Sequence, residues 1–494
     1  MPTATSAPRA AAPTSEPAAR TNRAQKIGLV AGVVVCVVML LMAPPDGMKL
    51  EAWRTCAVAT LMAIWWMTEA IPISATALIP LAVFPLLGIA TMTDAAAPYA
   101  NPVVFLFLGG FLLAAAFQRC GLHRRVALAI IAAVGTRPDR LVLGFLTATA
   151  AISMWVSNTA TVVMLLPLAA PVIALVCGEG ENRIEPAFEP ALLLALAYGA
   201  SLGGIGTLIG TPPNALFAGF MAETHGIRIS FVRWMMLGVP IVAISVPFTW
   251  FLLTRVTLKV GRQPNAATAD AVRSQRDALG PISRGEKLVG AVVLLAAVSW
   301  LTQPLLARVV PGISDTGIAI IAAVLLFLLP LGDGRPALDW KAAEILPWGV
   351  LVLFGGGLSL AEAVQDTGFS TWLGTALEGL RAVPLIVVIL VVTTLVVFIS
   401  ELASNTATAA AFLPLVSSLA VAIGADTLQL ATAAVLAASC SFVLPVGTPP
   451  NAIVFGAGRL TIPQMARAGI LLDIVMIAII TLVSYWFAVP LLKG

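Results

Sequence analysis

The stretch SNTATVVMLLPL at residues 157–168 returns as SNTATAAAFLPL at residues 404–415, identical at eight of twelve positions. The offset is 247 residues, and at that offset Gly109-Gly110 meets Gly356-Gly357, Gln118 meets Gln365 and Gly121 meets Gly368. Farther on, GTPPNA at 210–215 recurs at 447–452, an offset of 237, so one connection is ten residues shorter in the second copy. The polar stretch Gly178–Glu189, which has no long counterpart, accounts for the difference. Self-similarity of this kind marks one structural unit used twice.

The solvent for both units is lipid. The 494 residues are 59% hydrophobic and 11% charged, against about 25% charged in soluble domains. Apolar runs near the ~20 residues that cross a bilayer as a helix recur along the chain. They include Ile27–Ala43, Ile71–Ala90, Val103–Ala116, Phe231–Leu253, Lys287–Leu306, Gly317–Leu331, Pro384–Ile399 and Ala468–Leu491. The reading is an all-α integral membrane protein with about 11 transmembrane helices. Residues 1–26 hold no Leu, Ile, Val or Phe outside their basic, Ala- and Pro-rich sequence and read as a disordered cytoplasmic tail. The apolar run after them starts too late for an ordinary signal peptide, so Ile27–Ala43 reads as a retained span.

Positive charge marks cytoplasmic loops. Arg20, Arg23 and Lys26 place the N-terminus inside, and Arg119–Arg140 and the linker 259–286 belong on the same side. The linker divides a first unit with its preceding span (27–258) from a second (287–494). Threading the chain runs Val103–Ala116 inward and its partner Val350–Val364 outward, so the repeats are inverted. Transporters built this way bind substrate near the membrane midplane, where the repeats meet. A plasma (inner) membrane carrier with many short loops is the expected setting.

Each SNTAT interrupts an apolar run. Short polar side chains that bond the local backbone favour a break there, and irregular backbone at membrane depth survives only inside protein or along a watery cavity. The two segments read as re-entrant hairpins, 141–173 and 384–423. Each GTPPNA reads as a broken helix, around 207–215 and 445–452, because tandem prolines block continuation of the preceding helix. Freed carbonyls with Ser, Thr and Asn oxygens suit a hard cation such as Na⁺, and half-helix N-termini with Asn or Thr donors suit a carboxylate. No Arg or Lys lies in any of the four motifs. Bound cations then supply the counter-charge for an anion, which is a physical reason for coupling.

A lone SNT in a membrane helix is ordinarily helix-to-helix hydrogen-bonding glue, and a lone TPPN is ordinarily a kink. Duplication of both, in order, within inverted repeats favours the functional reading. The GG pairs read as close-packing sites, since no Gly-rich strand-to-helix context for phosphate exists. Glu401, just ahead of the second SNTAT, is an acid in apolar sequence, and Met154 takes its place in the first copy. Such acids are rarely idle, and coupling and structure both remain open as its role. Cys36, Cys56, Cys120, Cys177 and Cys440 form no CxxC pair and read as packing residues; His123 and His225 lack partners at metal-ligand spacing. The small net charge of +4 points to no nucleic-acid partner, and nothing calls for an organic cofactor.

The paired SNTAT tips, the paired GTPPNA loops and the early stretch MAIWWMTEAIPIS (62–74) resemble the divalent anion/sodium symporter family of dicarboxylate and citrate carriers. The resemblance runs from about residue 27 to the C-terminus. It implies a homodimer whose protomers each have a scaffold domain and a mobile transport domain, working by an elevator motion. It implies one sodium site from Ser153, Ser157, Asn158 and Gly210, and another from Ser400, Ala403, Asn405 and Gly447. Substrate carboxylates would meet Asn158, Thr159, Asn405 and Thr406, helped by Thr211, Thr448 and Pro449. Na⁺-coupled import of a C4-dicarboxylate such as succinate is the resulting expectation, with a dicarboxylate exchanger or a citrate, sulfate or arsenite carrier as alternatives. A passive channel is a further alternative. A membrane-embedded enzyme would need a nucleophile–base pair or metal cluster, which two scattered histidines and unpaired cysteines do not supply.

Overall fold

The computed structural model describes residues 23–177, 185–263, 266–331, 336–376 and 378–493, and no β-strand occurs among them. Most of the expected N-terminal tail lies outside the described residues; its last four belong to the first helix, α1 (Arg23–Leu41). That helix exposes Val30, Val34 and Val38 and packs on α2 (Leu50–Thr68) through Gly28 and Gly32. A Cβ on Gly32 would stand 2.6 Å from Trp65 Nε1. The indole of Trp53 donates to the Met39 carbonyl at 2.7 Å, fastening the end of α1. Glu69 closes α2 in the left-handed region, at φ 46°.

The order continues with α3 (Pro102–Arg119), α4 (Leu122–Val134), α5 (Pro138–Ser153), α6 (Asn158–Cys177), α7 (Phe188–Gly204), α8 (Pro212–His225) and α9 (Phe231–Phe251). After the linker come α10 (Arg284–Leu301), α11 (Asp315–Leu328), α12 (Trp348–Asp366), α13 (Leu385–Ser400), α14 (Asn405–Ile423), α15 (Thr427–Ala438), α16 (Pro449–Gly456) and α17 (Ile462–Trp486). Shorter helices fill the connections. Two of the prolines, Pro212 and Pro449, stand at the first position of α8 and α16, where the missing N–H costs nothing.

Among the described residues, seven helices are long and apolar enough to cross a membrane, or eight if the bent pair Arg284–Leu301 and Gln303–Val309 forms one span. The sequence reading expects about 11 crossings beside the hairpins and broken helices; with the longer helices stand five apolar helices of 10–17 residues, among them α7, α11, α13 and α15. The elements at the breaks are short, α15 with 12 residues and α16 with 8.

These divided elements occupy the centre. Every residue of α7 is buried, and in α15 only Thr427 and Gln429 are not. Small residues make the packing possible. A Cβ on Gly199 would meet the Leu146 carbonyl of α5 at 2.8 Å, and one on Gly203 would overlap the Ala150 carbonyl. The GG pairs behave likewise. Gly109 sits against Ala319 of α11, its Cβ position 2.9 Å from a backbone carbon, and Gly356 sits against the Ala77 backbone. At the base of α5, buried Asp139 takes Arg255 at 2.7 Å and Arg137 at 3.0 Å, tying this arm to the turn that follows α9.

Candidate cation and anion site

Two polar clusters form where the helices break, one in each repeat. In the first, α5 and α6 are separated by residues 154–157, and α7 and α8 by residues 205–211. Ser153, fully buried, donates to Asn158 Oδ1 at 2.7 Å and sits 2.8 Å from the Ala200 carbonyl. Asn158 lies beside Gly204, where a Cβ would come within 2.6 Å of its Oδ1. That same Cβ would be 3.2 Å from Cβ of Thr211, and Gly210 packs on the Gly204 backbone. Ser153, Asn158, Gly210 and Thr211 are therefore brought together around Gly204.

The second cluster repeats the plan. Ser400 contacts Asn405 Oδ1 at 3.0 Å and the Ala438 carbonyl at 2.8 Å. Ser441 occupies the position of Gly204, and its hydroxyl donates to the Ser400 carbonyl at 3.1 Å. Gly447 packs against Ser441. Thr448 caps α16, its oxygen accepting from the Asn451 amide at 3.2 Å. Thr211 begins α8 in the same extended conformation without a side-chain cap.

The asparagines of GTPPNA do something the sequence reading did not foresee. Asn214 turns inward and donates to the carbonyls of Gly204 and Thr207 at 3.0 and 2.8 Å. Asn451 donates to those of Ser441 and Leu444, both at 3.0 Å. The freed carbonyls are thus partly claimed by these side chains, which set the shape of each break. Both Oδ1 atoms are buried without a hydrogen-bond partner. Three more carbonyls are held by side chains from outside the breaks. Trp234 donates to Ile205 at 2.9 Å, and Tyr198 of the first repeat donates to Phe442 of the second at 2.9 Å and to Met465 at 3.3 Å.

The remaining predicted residues lie nearby but outside this bonding. The Ser157 hydroxyl accepts from the Ala160 amide at 3.4 Å. Thr159 and Pro449 are exposed, while Ala403 and Thr406 are buried. Glu401 takes a defined part. Its two oxygens accept the amides of Val443 and Leu444, each at 2.9 Å, pinning the second break to the turn between α13 and α14. In the first repeat that role passes to Thr207, whose hydroxyl donates to the Met154 carbonyl. Glu401, Asn214 and Asn451 stood in or beside the quoted motifs, whereas no pattern marked Tyr198, Trp234 or Ser441.

Hard oxygen donors at paired helix breaks, buried in the centre of an all-helical membrane bundle, define a membrane transporter. Residues 23–493 match the model of the sodium:sulfate symporter transmembrane region. The sodium-dependent dicarboxylate transporter SdcS of Staphylococcus saprophyticus is 40% identical over 481 residues, covering 95% of this chain and 93% of that protein. SdcS of Staphylococcus aureus (strain USA300) is 39% identical, with 95% and 92% covered. Two solved structures share the fold. The YdaH transporter of Alcanivorax borkumensis superposes with a TM-score of 0.61 at 17% identity, over 88% of this chain and 99% of that one. MtrF of Neisseria gonorrhoeae, described within a class of antimetabolite efflux pumps, gives 0.55 at 14% identity over 94% and 96%. The chain belongs to the divalent anion:sodium symporter family.

Proposed function

We propose that the chain is a secondary active transporter that imports C4-dicarboxylates such as succinate, malate and fumarate, driven by Na⁺. The observation that carries this reading is the doubled cluster: Ser153 on Asn158 in one repeat and Ser400 on Asn405 in the other, at 2.7 and 3.0 Å. Each is a set of neutral oxygens in a buried place, suited to a hard monovalent cation. One sodium site is assigned to Ser153, Ser157, Asn158 and Gly210, and the other to Ser400, Ala403, Asn405 and Gly447. The anion is assigned to Asn158, Thr159, Asn405 and Thr406, with Thr211, Thr448 and Pro449 beside it. In support, Asn158 and Thr159 open α6, Asn405 and Thr406 open α14, and Thr211, Thr448 and Pro449 lie at the starts of α8 and α16, and such amide ends favour negative charge. The names of the relatives, sodium-dependent dicarboxylate transporters, support the choice of ion and substrate.

The repeats are read as inverted, with the N-terminus cytoplasmic and the protein in the plasma membrane as a homodimer. Alternation of the binding site between the two sides is assigned to an elevator motion, in which each protomer's hairpins and broken helices move against a scaffold.

The test is uptake of radiolabelled succinate into proteoliposomes, with and without an inward Na⁺ gradient and with and without internal dicarboxylate. Uptake that follows the Na⁺ gradient alone supports the symporter. Uptake that requires internal dicarboxylate and ignores Na⁺ replaces it with an exchanger.

A further inference from the structure

The corner where the base of α5 meets the end of α9 holds more positive charge than its acids balance. One oxygen of Asp139, Oδ2, faces three guanidiniums: Arg255 at 2.7 Å, Arg137 at 3.0 Å and Arg262 at 3.9 Å. Nε of Arg137 is buried with no acceptor. Among the described residues no other acid pairs with these arginines. Glu185, beside them, takes the Gly261 amide at 2.9 Å. Arg140 and Lys259, exposed in the same stretches of chain, add two more cations. The side chains of Arg255 and Arg137 are only 20% and 34% exposed, and charge drawn out of water in this way is costly unless an opposite charge meets it.

A local irregularity brings Arg255 here. α9 runs on into a π-helical turn, Leu252–Thr257, a form that recurs at functional sites. In it Arg255 lies over the Trp250 ring, 5.7 Å from its centre, and donates to the Val260 carbonyl at 3.2 Å. The Trp250 indole donates to the Asp139 carbonyl at 2.7 Å, which fastens the turn to the base of α5.

The depth is that of lipid headgroups. Phe231–Thr257 is one candidate span of 27 residues, and Arg255 stands in its last turn. At ~1.5 Å per residue such a span crosses a hydrocarbon core of ~30 Å and enters the headgroup layer, where tryptophan is enriched. Phe251 and Val256, close to Arg255 in the chain, are 49% and 40% exposed. Apolar surface therefore adjoins the cations.

We propose that this corner binds the phosphate of an anionic phospholipid such as phosphatidylglycerol. Guanidinium N–H groups match phosphate oxygens in pairs, and Arg137 and Arg262 have donors that Asp139 does not use. The acyl chains lie along Phe251 and Val256, which a free phosphate ion would leave unused. The bound headgroup joins the base of α5, the turn after α9 and the start of the linker. The site stands apart from the transport reading and does not depend on which anion is carried.

The experiment is thermal unfolding of the purified full-length protein in detergent, with added dioleoylphosphatidylglycerol, dioleoylphosphatidylcholine or inorganic phosphate. Phosphatidylglycerol should raise the midpoint by several degrees and the other two should not. Arg262 is 65% exposed, so Arg262→Gln keeps the Asp139–Arg255 pair and should fold; it should need about five-fold more phosphatidylglycerol for half the rise. Arg137→Gln with Arg262→Gln should abolish the rise. Arg273→Gln with Arg276→Gln removes two exposed arginines elsewhere in the linker and should respond as the wild type does. No rise in the wild type, an equal rise with phosphatidylcholine, or a rise reproduced by inorganic phosphate overturns the lipid site. So does a wild-type response in Arg262→Gln, or a loss in the Arg273 and Arg276 variant as large as in the Arg137 and Arg262 variant.

Discussion

Asn158 stands so close to Gly204 that no side chain fits between them: a Cβ there would lie 2.6 Å from Asn158 Oδ1. Gly204→Ala must therefore displace the asparagine from Ser153. Overpacking of this kind costs about 1–3 kcal/mol, and the displacement falls on a proposed sodium ligand. Thermal unfolding of the purified protein should shift down, and half-maximal activation should need several-fold more Na⁺. Sodium activation identical to the wild type would detach Asn158 from the cation site.

Asn214 and Asn451 hold the two breaks in shape. Replacing either by Ala strips donors from two buried carbonyls. Leaving such groups unpaired costs about 1–3 kcal/mol apiece. Each variant should lose thermal stability in detergent by a comparable amount, because the two sets of bonds match in length. A large loss in one and none in the other would show that the repeats do not use this device alike.

Thr159 and Thr406 can be shortened without opening the core far, since Thr159 is exposed and Thr406 is 8% exposed at its helix end. If each hydroxyl bonds a substrate carboxylate, Thr→Ala loses a charge-assisted bond of about 1.5–3 kcal/mol, or roughly ten-fold or more in succinate affinity. Folding, followed by size-exclusion profile, should survive. Wild-type affinity in both variants would remove them from the substrate site.

Asn158→Asp and Asn405→Asp place a negative charge where a neutral oxygen meets Ser153 or Ser400. Repulsion of the anion and tighter hold on the cation should disturb Na⁺ dependence and succinate uptake together. Unchanged Na⁺ activation curves would count against both assignments.

The repeat, the breaks and their polar content were legible because identical short motifs interrupt apolar runs, and both features survive in one dimension. The helix breaks fall where SNTAT is read: α6 begins at Asn158 and α14 at Asn405. Hydropathy measures how apolar a run is, so it was the polar motifs and not the hydropathy that marked where the runs are cut. The inward turn of Asn214 was hidden because the same side chain can donate to a backbone carbonyl or to a ligand, and only the fold chooses. Tyr198 and Trp234 sit in ordinary apolar helices, far in sequence from the carbonyls they hold, so no spacing marks them.

The Tyr198 hydroxyl bonds to Phe442 and Met465 act as a rivet between the halves of the chain. In the elevator motion proposed above, this joint would let both clusters travel as a single cassette, with the change of access hinged elsewhere.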